Sequence, residues 1–220
     1  MQLVKSAKYG LYGRPDTCDE MVMGEIDRSY KQLTIRPDDV VFDIGGNIGA
    51  FSAWAAPRCK QVIAFEPDAE NCEIFRKNTE RFPNVTLYEA ALVGGLEQQV
   101  TFYTNDSGRN KGLHSLVVTG GRTCHVVDAL NMAQMLARHQ PTVIKCDTEG
   151  GEYSLLLDKP LPEYVRELAI EIHLQKIIWR NEQGPRLVEQ LETQFPQIRR
   201  GGKVSPKIRA ILGVYARASS

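Results

Sequence analysis

VVFDIGGNIGAFS, residues 40–52, decides the fold. Three apolar residues lead into Asp43, glycines follow at 45, 46 and 49, and a helical run opens at Ala50. That is a strand, a glycine turn and a helix, an arrangement in which bare backbone meets a nucleotide-like ligand. The next strand, VIAFEPD at 62–68, ends in Glu66, and a carboxylate there can accept two hydrogen bonds from a ribose diol. Asp43, Gly45, Asn47, Gly49 and Glu66 together predict an adenosine-cofactor site.

The glycine spacing separates the cofactors. A dinucleotide fingerprint is G-x-G-x-x-G behind an apolar strand, whereas here the glycines read G-G-x-x-G and Asp43 sits within the strand. A carboxylate there repels a pyrophosphate and attracts an ammonium. S-adenosylmethionine, with its ammonium, sulfonium and adenosine, fits better than NAD.

Working outward, strands are expected at 40–45, 61–66 and 85–92, with helices at 49–56 and 68–81 between them, the second capped by Asp68. Strand–helix repeats of this length imply right-handed crossovers and an α/β, Rossmann-like, doubly wound, mostly parallel sheet with helices on both faces. Further strands are expected at 98–104, 124–127, 142–146, 168–173 and 211–216, the last with its direction left open. Asp128 is read as the cap of a helix reaching Arg138, and another helix is expected near 185–195. Glu89-Ala90-Ala91 ends the third strand, where an adenine would need small side chains, so Ala90 is a cofactor candidate. Residues 1–38, with a helix over 19–33, form a lead-in that could cover an acceptor site; 39–220 form the single domain.

Chemistry is expected from two further clusters. IKCDTEGGEY places Lys145, Asp147, Glu149 and Glu152 just after an apolar strand, where carboxylates are costly without partners or solvent. Asp147 is read as functional and Glu152 as serving the next helix. In LAIEIH, Glu171 and His173 alternate onto one strand face, and imidazole titrates near neutrality. His173 or Asp147 is the expected general base, with Lys145 positioning the acceptor or lowering its pKa. An alternative has Asp147, Glu149 and Glu171 holding Mg2+.

Composition narrows the class. Lys+Arg and Asp+Glu balance at 27 each, so no global field draws the chain to nucleic acid or anionic membrane. Five cysteines, an odd number with no C-x-x-C pair, suit reduced thiols rather than a disulfide framework or zinc site. No apolar run reaches membrane-span length and no signal-peptide core leads the chain. The reading is a cytoplasmic protein. The polar, glycine-rich 105–112 stretch is read as a mobile loop, and His114 beyond it as lining a substrate pocket or as packing; the basic cluster Arg199, Arg200, Lys203, Lys207 and Arg209 is read as solvated surface, with contact to a phosphorylated or nucleic-acid acceptor a minority alternative.

With these motifs in order, DIGGNIG, AFEP, NVTLYEAALVGG, VVDAL, IKCDTEGGE and EIH, the chain resembles the FkbM family of S-adenosylmethionine-dependent methyltransferases over about residues 39–175. The resemblance implies a class I methyltransferase fold and O-methylation of a small-molecule hydroxyl, a natural product or a sugar. It implies a cofactor role for Asp43, Gly45, Asn47, Gly49, Glu66 and Ala90, and an active edge at Asp147, Glu149, Glu171 and His173. The chain has CDTEGGE where the family commonly has IDVEGAE. No D/N-P-P-Y/F stretch for exocyclic amines occurs, which leaves RNA ribose or protein as alternative acceptors. From other classes, an NAD-dependent oxidoreductase and a non-catalytic cofactor-binding module stay open, and the oligomeric state is not legible.

Overall fold

In the computed structural model, residues 2–104, 123–173, 183–200 and 210–217 are described. The 105–112 loop, His114, Lys203, Lys207 and Arg209 lie outside them. A short hairpin, β1 (Val4–Lys5) and β2 (Tyr12–Gly13), precedes helix α1 (Asp19–Arg28) and a 3-10 turn, Tyr30–Gln32. Then come β3 (Val40–Ile44), α2 (Ala50–Ala55), β4 (Gln61–Phe65), α3 (Ala69–Thr79), β5 (Val85–Tyr88) and β6 (Ala91–Val93). The chain continues through β7 (Gln99–Thr104), β8 (Thr123–Asn131), α4 (Met132–His139), β9 (Val143–Cys146) and α5 (Glu152–Leu156). It closes with β10 (Glu167–His173), α6 (Gln183–Gln194), β11 (Gln197–Arg200) and β12 (Ala210–Ala216).

The main sheet runs β11-β12-β10-β9-β3-β4-β5. Its five central and edge strands from β10 to β5 are parallel, whereas β12 lies antiparallel to β10 and β11 antiparallel to β12. The strand order reverses direction between β3 and β9, so their carboxyl ends open a crevice where such sheets bind ligands.

Strand alternation sorts the core into two layers. Phe42, Ile44, Ile63, Phe65, Ile144, Leu168 and Ile170 face α4, α5 and α6. Val41, Val62, Val143 and Ala169 face the other way, against Tyr30 and the α2 residues Phe51 and Ala55. By the same alternation Asp43, Lys145 and Glu171 fall on this second face, beneath α1 and α2.

Three expectations need correction. The strand expected at 85–92 is broken: β6 leaves the main sheet to pair in parallel with β8, which pairs with β7 in a second, three-stranded sheet. The short segment expected at 124–127 is a nine-residue strand, because its partner β7 supplies a ladder that local propensity does not reveal. Asp128 therefore lies inside β8, and Asn131 caps α4 by accepting from the Gln134 N–H at 2.9 Å. The lead-in helix ends at Arg28 rather than 33, the chain tightening into the 3-10 turn that buries Tyr30. Asp68 does cap α3, through the Asn71 N–H at 2.8 Å.

The lead-in is bolted to the sheet domain. Arg14 makes a buried ion pair with Asp19 and donates to Asn71 of α3. Asn78 exchanges hydrogen bonds with the Tyr12 backbone and also donates to the Ile48 carbonyl. No helix among the described residues is long and apolar enough to cross a membrane.

Candidate active site

At the crevice lies a cavity of about 840 Å³, counting its open mouth. Its size suits a small-molecule site. One end is formed by the β3–α2 turn, with Gly45, Gly46 and Asn47, and by Glu66; Phe65, Ala91, Leu92 and Phe102 also line the cavity. The other polar groups on its wall are Asn71 of α3, Lys145 within β9, Asp147, Thr148 and Glu149 after it, and Glu25 and Tyr30 from the lead-in.

Backbone geometry builds the cofactor end. Gly45 has φ +76°, and a Cβ there would lie 1.9 Å from the Asp147 carbonyl oxygen, so only glycine lets the two loops meet. Gly49, at φ +79°, begins α2 against the Phe75 ring and does not line the cavity. Glu66 accepts from the Asn47 N–H at 2.8 Å, the Asp68 N–H at 2.9 Å and the Asn71 side chain at 3.4 Å. Burial pushes its pKa up to about 7, against those three donors. A carboxylate has about four acceptor positions, so Glu66 both ties the turn and can still meet a ligand hydroxyl.

Asp43 does not line the cavity. Its carboxylate is fully buried, accepts from Ser52 Oγ at 2.7 Å and pairs with Lys145 Nζ at 3.2 Å. The expected direct hold on the cofactor's ammonium is therefore corrected, because that charge is already spent. Lys145 is corrected with it: its ammonium also donates to the Gly45 carbonyl at 2.5 Å. Burial opposes its charge, yet Asp43 and Asp147 outweigh burial and raise its pKa, so it braces the turn as a permanent cation. Ala90 is buried but off the cavity wall, which Ala91 and Leu92 occupy instead.

His173 is 2% exposed and lies off the cavity. Its Nδ1 lies 3.1 Å from Glu152 Oε1 and its Nε2 3.4 Å from Glu149 Oε2. Burial opposes protonation, but the bonds to Glu149 and Glu152 prevail and hold its pKa well above the usual histidine range. An imidazolium has no lone pair to accept a proton, so the expectation of His173 as general base is corrected. Glu152 is fully buried; its Oε1 also accepts from the Thr148 N–H and hydroxyl and from the Gly150 N–H. It fixes the 147–150 turn and orients the histidine.

Asp147 reaches the cavity, and its Oδ2 lies 3.4 Å from the Tyr30 hydroxyl. Glu171 sits off the wall, 3.9 Å from His173 Nε2. Burial first, then the charge of Asp147, pushes Glu171 up to about 7. The expected Mg2+ set of Asp147, Glu149 and Glu171 is not the one brought together. Ligand atoms of Asp147, Glu149 and His173 lie within 4.8 Å of one another. An imidazole nitrogen in place of an oxygen suits Mg2+ poorly, and the ring's two nitrogens already face Glu152 and Glu149.

Sequence reading missed Glu25, Ser52, Phe75 and Phe102. One signal was available for the Asp43–Lys145 pair: each is the single charge in an otherwise apolar strand, and β3 and β9 place them directly opposite in register.

The doubly wound sheet, the glycine turn tied to an acidic strand end and the ligand crevice at the β3/β9 reversal define a class I methyltransferase fold. Residues 43–200 match the methyltransferase FkbM domain, and the chain belongs to that family. It is 25% identical over 119 residues to hexuronic acid methyltransferase AglP of Haloferax volcanii, covering 54% of this chain and 49% of the relative. Among solved structures, methyltransferase FkbM from Methylobacillus flagellatus KT superposes with TM-score 0.52 at 17% identity, over 84% of this chain and 45% of that one. The precorrin-6y C5,15-methyltransferase of Geobacter metallireducens GS-15 also gives 0.52, at 14% identity over 98% and 97%. The chain thus spans about half the length of its curated relative AglP. The family assignment favours the methyltransferase reading over the dinucleotide oxidoreductase one.

Proposed function

We propose that the protein transfers a methyl group from S-adenosylmethionine to the hydroxyl of a small molecule, a natural product or a sugar. The observation that carries this reading is one continuous cavity joining the Glu66 glycine turn to Asp147 and Glu149. The lining fits the cofactor: Glu66 for the ribose hydroxyls, apolar Phe65, Ala91 and Leu92 for the adenine, and carboxylates for the cationic end. When bound, the cofactor supplies an electrophilic methyl on a sulfonium.

The protein's residues then position and deprotonate. Gly45 and Asn47 hold the turn, and Lys145 keeps the Gly45 carbonyl in place. α1 and the 3-10 turn close the cavity with Val22, Glu25, Ile26 and Tyr30, the acceptor-side cover. Alignment of oxygen with methyl lowers much of the barrier. With the acceptor oxygen aligned on that methyl, Asp147 would accept the hydroxyl proton as the methyl is transferred. This route needs no Mg2+. AglP, whose name gives a hexuronic acid as its substrate, supports a sugar hydroxyl as one acceptor type.

The test is calorimetric titration with S-adenosylhomocysteine and, separately, NADH, on the wild type and on Glu66→Ala, followed by turnover of Asp147→Asn. Micromolar binding of the homocysteine, weakened in Glu66→Ala, and a turnover loss of about 10²-fold or more in Asp147→Asn with binding retained are expected. Absence of homocysteine binding by the wild type overturns the reading.

A further inference from the structure

Building on the methyltransferase reading, we propose that Asn71 donates its side-chain amide to a ribose hydroxyl beside Glu66, and that Arg14 of the lead-in is the positioning residue that turns the amide that way. Cofactor recognition then reaches a residue outside the 43–200 segment that matches the family.

A side-chain relay leads from the lead-in to the cavity. Arg14 follows β2 and is buried; its backbone N–H and Nε donate to Asp19 Oδ2 at 2.8 and 3.0 Å, and its Nη2 donates to Asp19 Oδ1 at 3.0 Å. The same Nη2 donates to Asn71 Oδ1 at 2.8 Å. Asn71 is 2% exposed and lines the cavity, and its Nδ2 donates to Glu66 Oε1 at 3.4 Å. The fork on Asp19 holds the guanidinium in place, so its remaining N–H meets Asn71 in a fixed direction.

The relay has a polarity. A guanidinium carries donors only, so Asn71 presents Oδ1 to Arg14 and Nδ2 to Glu66. Turned over, the amide would set its oxygen against the Glu66 carboxylate and its N–H groups against a cation, and both bonds would be lost. The Asn71 backbone is fixed as well, because its N–H donates to the Asp68 cap at 2.8 Å. Held this way, the amide is one of the donors that work against burial to lower the Glu66 pKa.

An amide nitrogen carries two protons. One goes to Glu66, and the second has no partner among the described residues. Glu66 Oε2 accepts from the Asn47 N–H alone among them, so it keeps a position for a further donor. A vicinal diol suits this pair, since each hydroxyl both donates and accepts. Glu66 Oε2 takes a donated proton, and Asn71 Nδ2 supplies one to a hydroxyl oxygen, which a carboxylate cannot do. A ligand lacking one hydroxyl leaves a buried polar group unpaired, and that loss is what discriminates.

The test titrates the full chain with S-adenosylhomocysteine and with its 2′-deoxy and 3′-deoxy forms, and reads the ratio of affinities. Partial unfolding lowers every apparent affinity by the same factor, so the ratio follows recognition and not stability. The wild type should prefer the intact diol by about tenfold or more over at least one deoxy form. Asn71→Ala should cut that preference at least about threefold, and so should Arg14→Met paired with Asp19→Asn, which strands no buried charge. Arg14→Lys keeps the ion pair with Asp19, and so the fold, but lacks the forked donor that reaches Asn71; it should cut the preference too. Because Arg14 acts through Asn71, adding the paired substitutions to Asn71→Ala should cut it no further. A wild type indifferent to the diol, an unchanged ratio in Asn71→Ala or in the Arg14 variants, or a further fall in the combined variant would overturn the proposal. Failure of S-adenosylhomocysteine to bind the wild type instead sinks the methyltransferase reading beneath it.

Discussion

The two ends of the cavity are built on different principles. The cofactor end is a backbone device: a turn with a left-handed glycine at 45, tied by one carboxylate whose donors come from three nearby residues. The acceptor end is a side-chain device, in which α1, the turn after β9 and the end of β10 each contribute an acidic group. The first is closely packed and nearly every polar atom is satisfied. The second gathers acidic side chains from separate elements, and burial there pushes the pKa values of Glu25 and Glu171 up. A binding end built from backbone tolerates little change, whereas one built from separate side chains can change specificity without disturbing the fold.

That contrast breaks first at Gly45. Gly45→Ala would place a methyl against the Asp147 carbonyl and force a left-handed backbone that costs ~1–2 kcal/mol before any clash. Loss of S-adenosylhomocysteine binding by more than about 10²-fold is expected by titration, with a clear drop in Tm. If this variant binds normally, the close contact of the two loops is not a requirement.

Next comes the buried pair joining the two ends. Lys145→Met leaves Asp43 buried without a partner, which costs about 3–5 kcal/mol and lowers Tm by roughly 10 °C. Adding Asp43→Asn should restore a good part of that loss. A variant that keeps its Tm and loses only turnover would return Lys145 to a direct catalytic role.

The acid-rich wall predicts a pH dependence. Glu25 at about 8, and Glu66 and Glu171 at about 7, start from 4.5, so all three hold protons more tightly folded than unfolded. Their penalty is absent below about pH 4.5 and grows as pH rises to 8. Their combined effect on urea-unfolding stability of the ligand-free protein should be a progressive fall between pH 5 and 8. Glu25→Gln should flatten the slope. A steeper fall in the variant would break the assignment.

The smallest expected effect lies away from both ends. Asn131→Ala removes the α4 cap and should cost about 1 kcal/mol with no change in cofactor affinity. It serves as the reference for the three larger effects.

The same contrast explains how much was legible in the sequence. Gly45, Asn47 and Glu66 lie on two adjacent strands and their turns, where residue order alone brings them together. Asp43 was found at the right strand but given the wrong partner, because register with Lys145 is a tertiary fact. His173 was recognised as reactive chemistry, yet its state depends on Glu152, which only the α5 turn brings to its Nδ1. Glu25 escaped notice because an acid within an amphipathic helix resembles any solvated side chain until the helix is docked. The second sheet was missed for a related reason: pairing of β6 with β8 spans some 40 residues and leaves no local pattern.

The approach of Gly45 to the Asp147 carbonyl has a practical side. A chimaera that exchanged acceptor loops between relatives would take the segment after β9 as a module. Here the main chain of that segment fills the space a side chain would need in the glycine turn. The transferable unit is therefore the pair of loops together, and a graft carrying one without the other inherits a mismatch at the point where the substrates should meet.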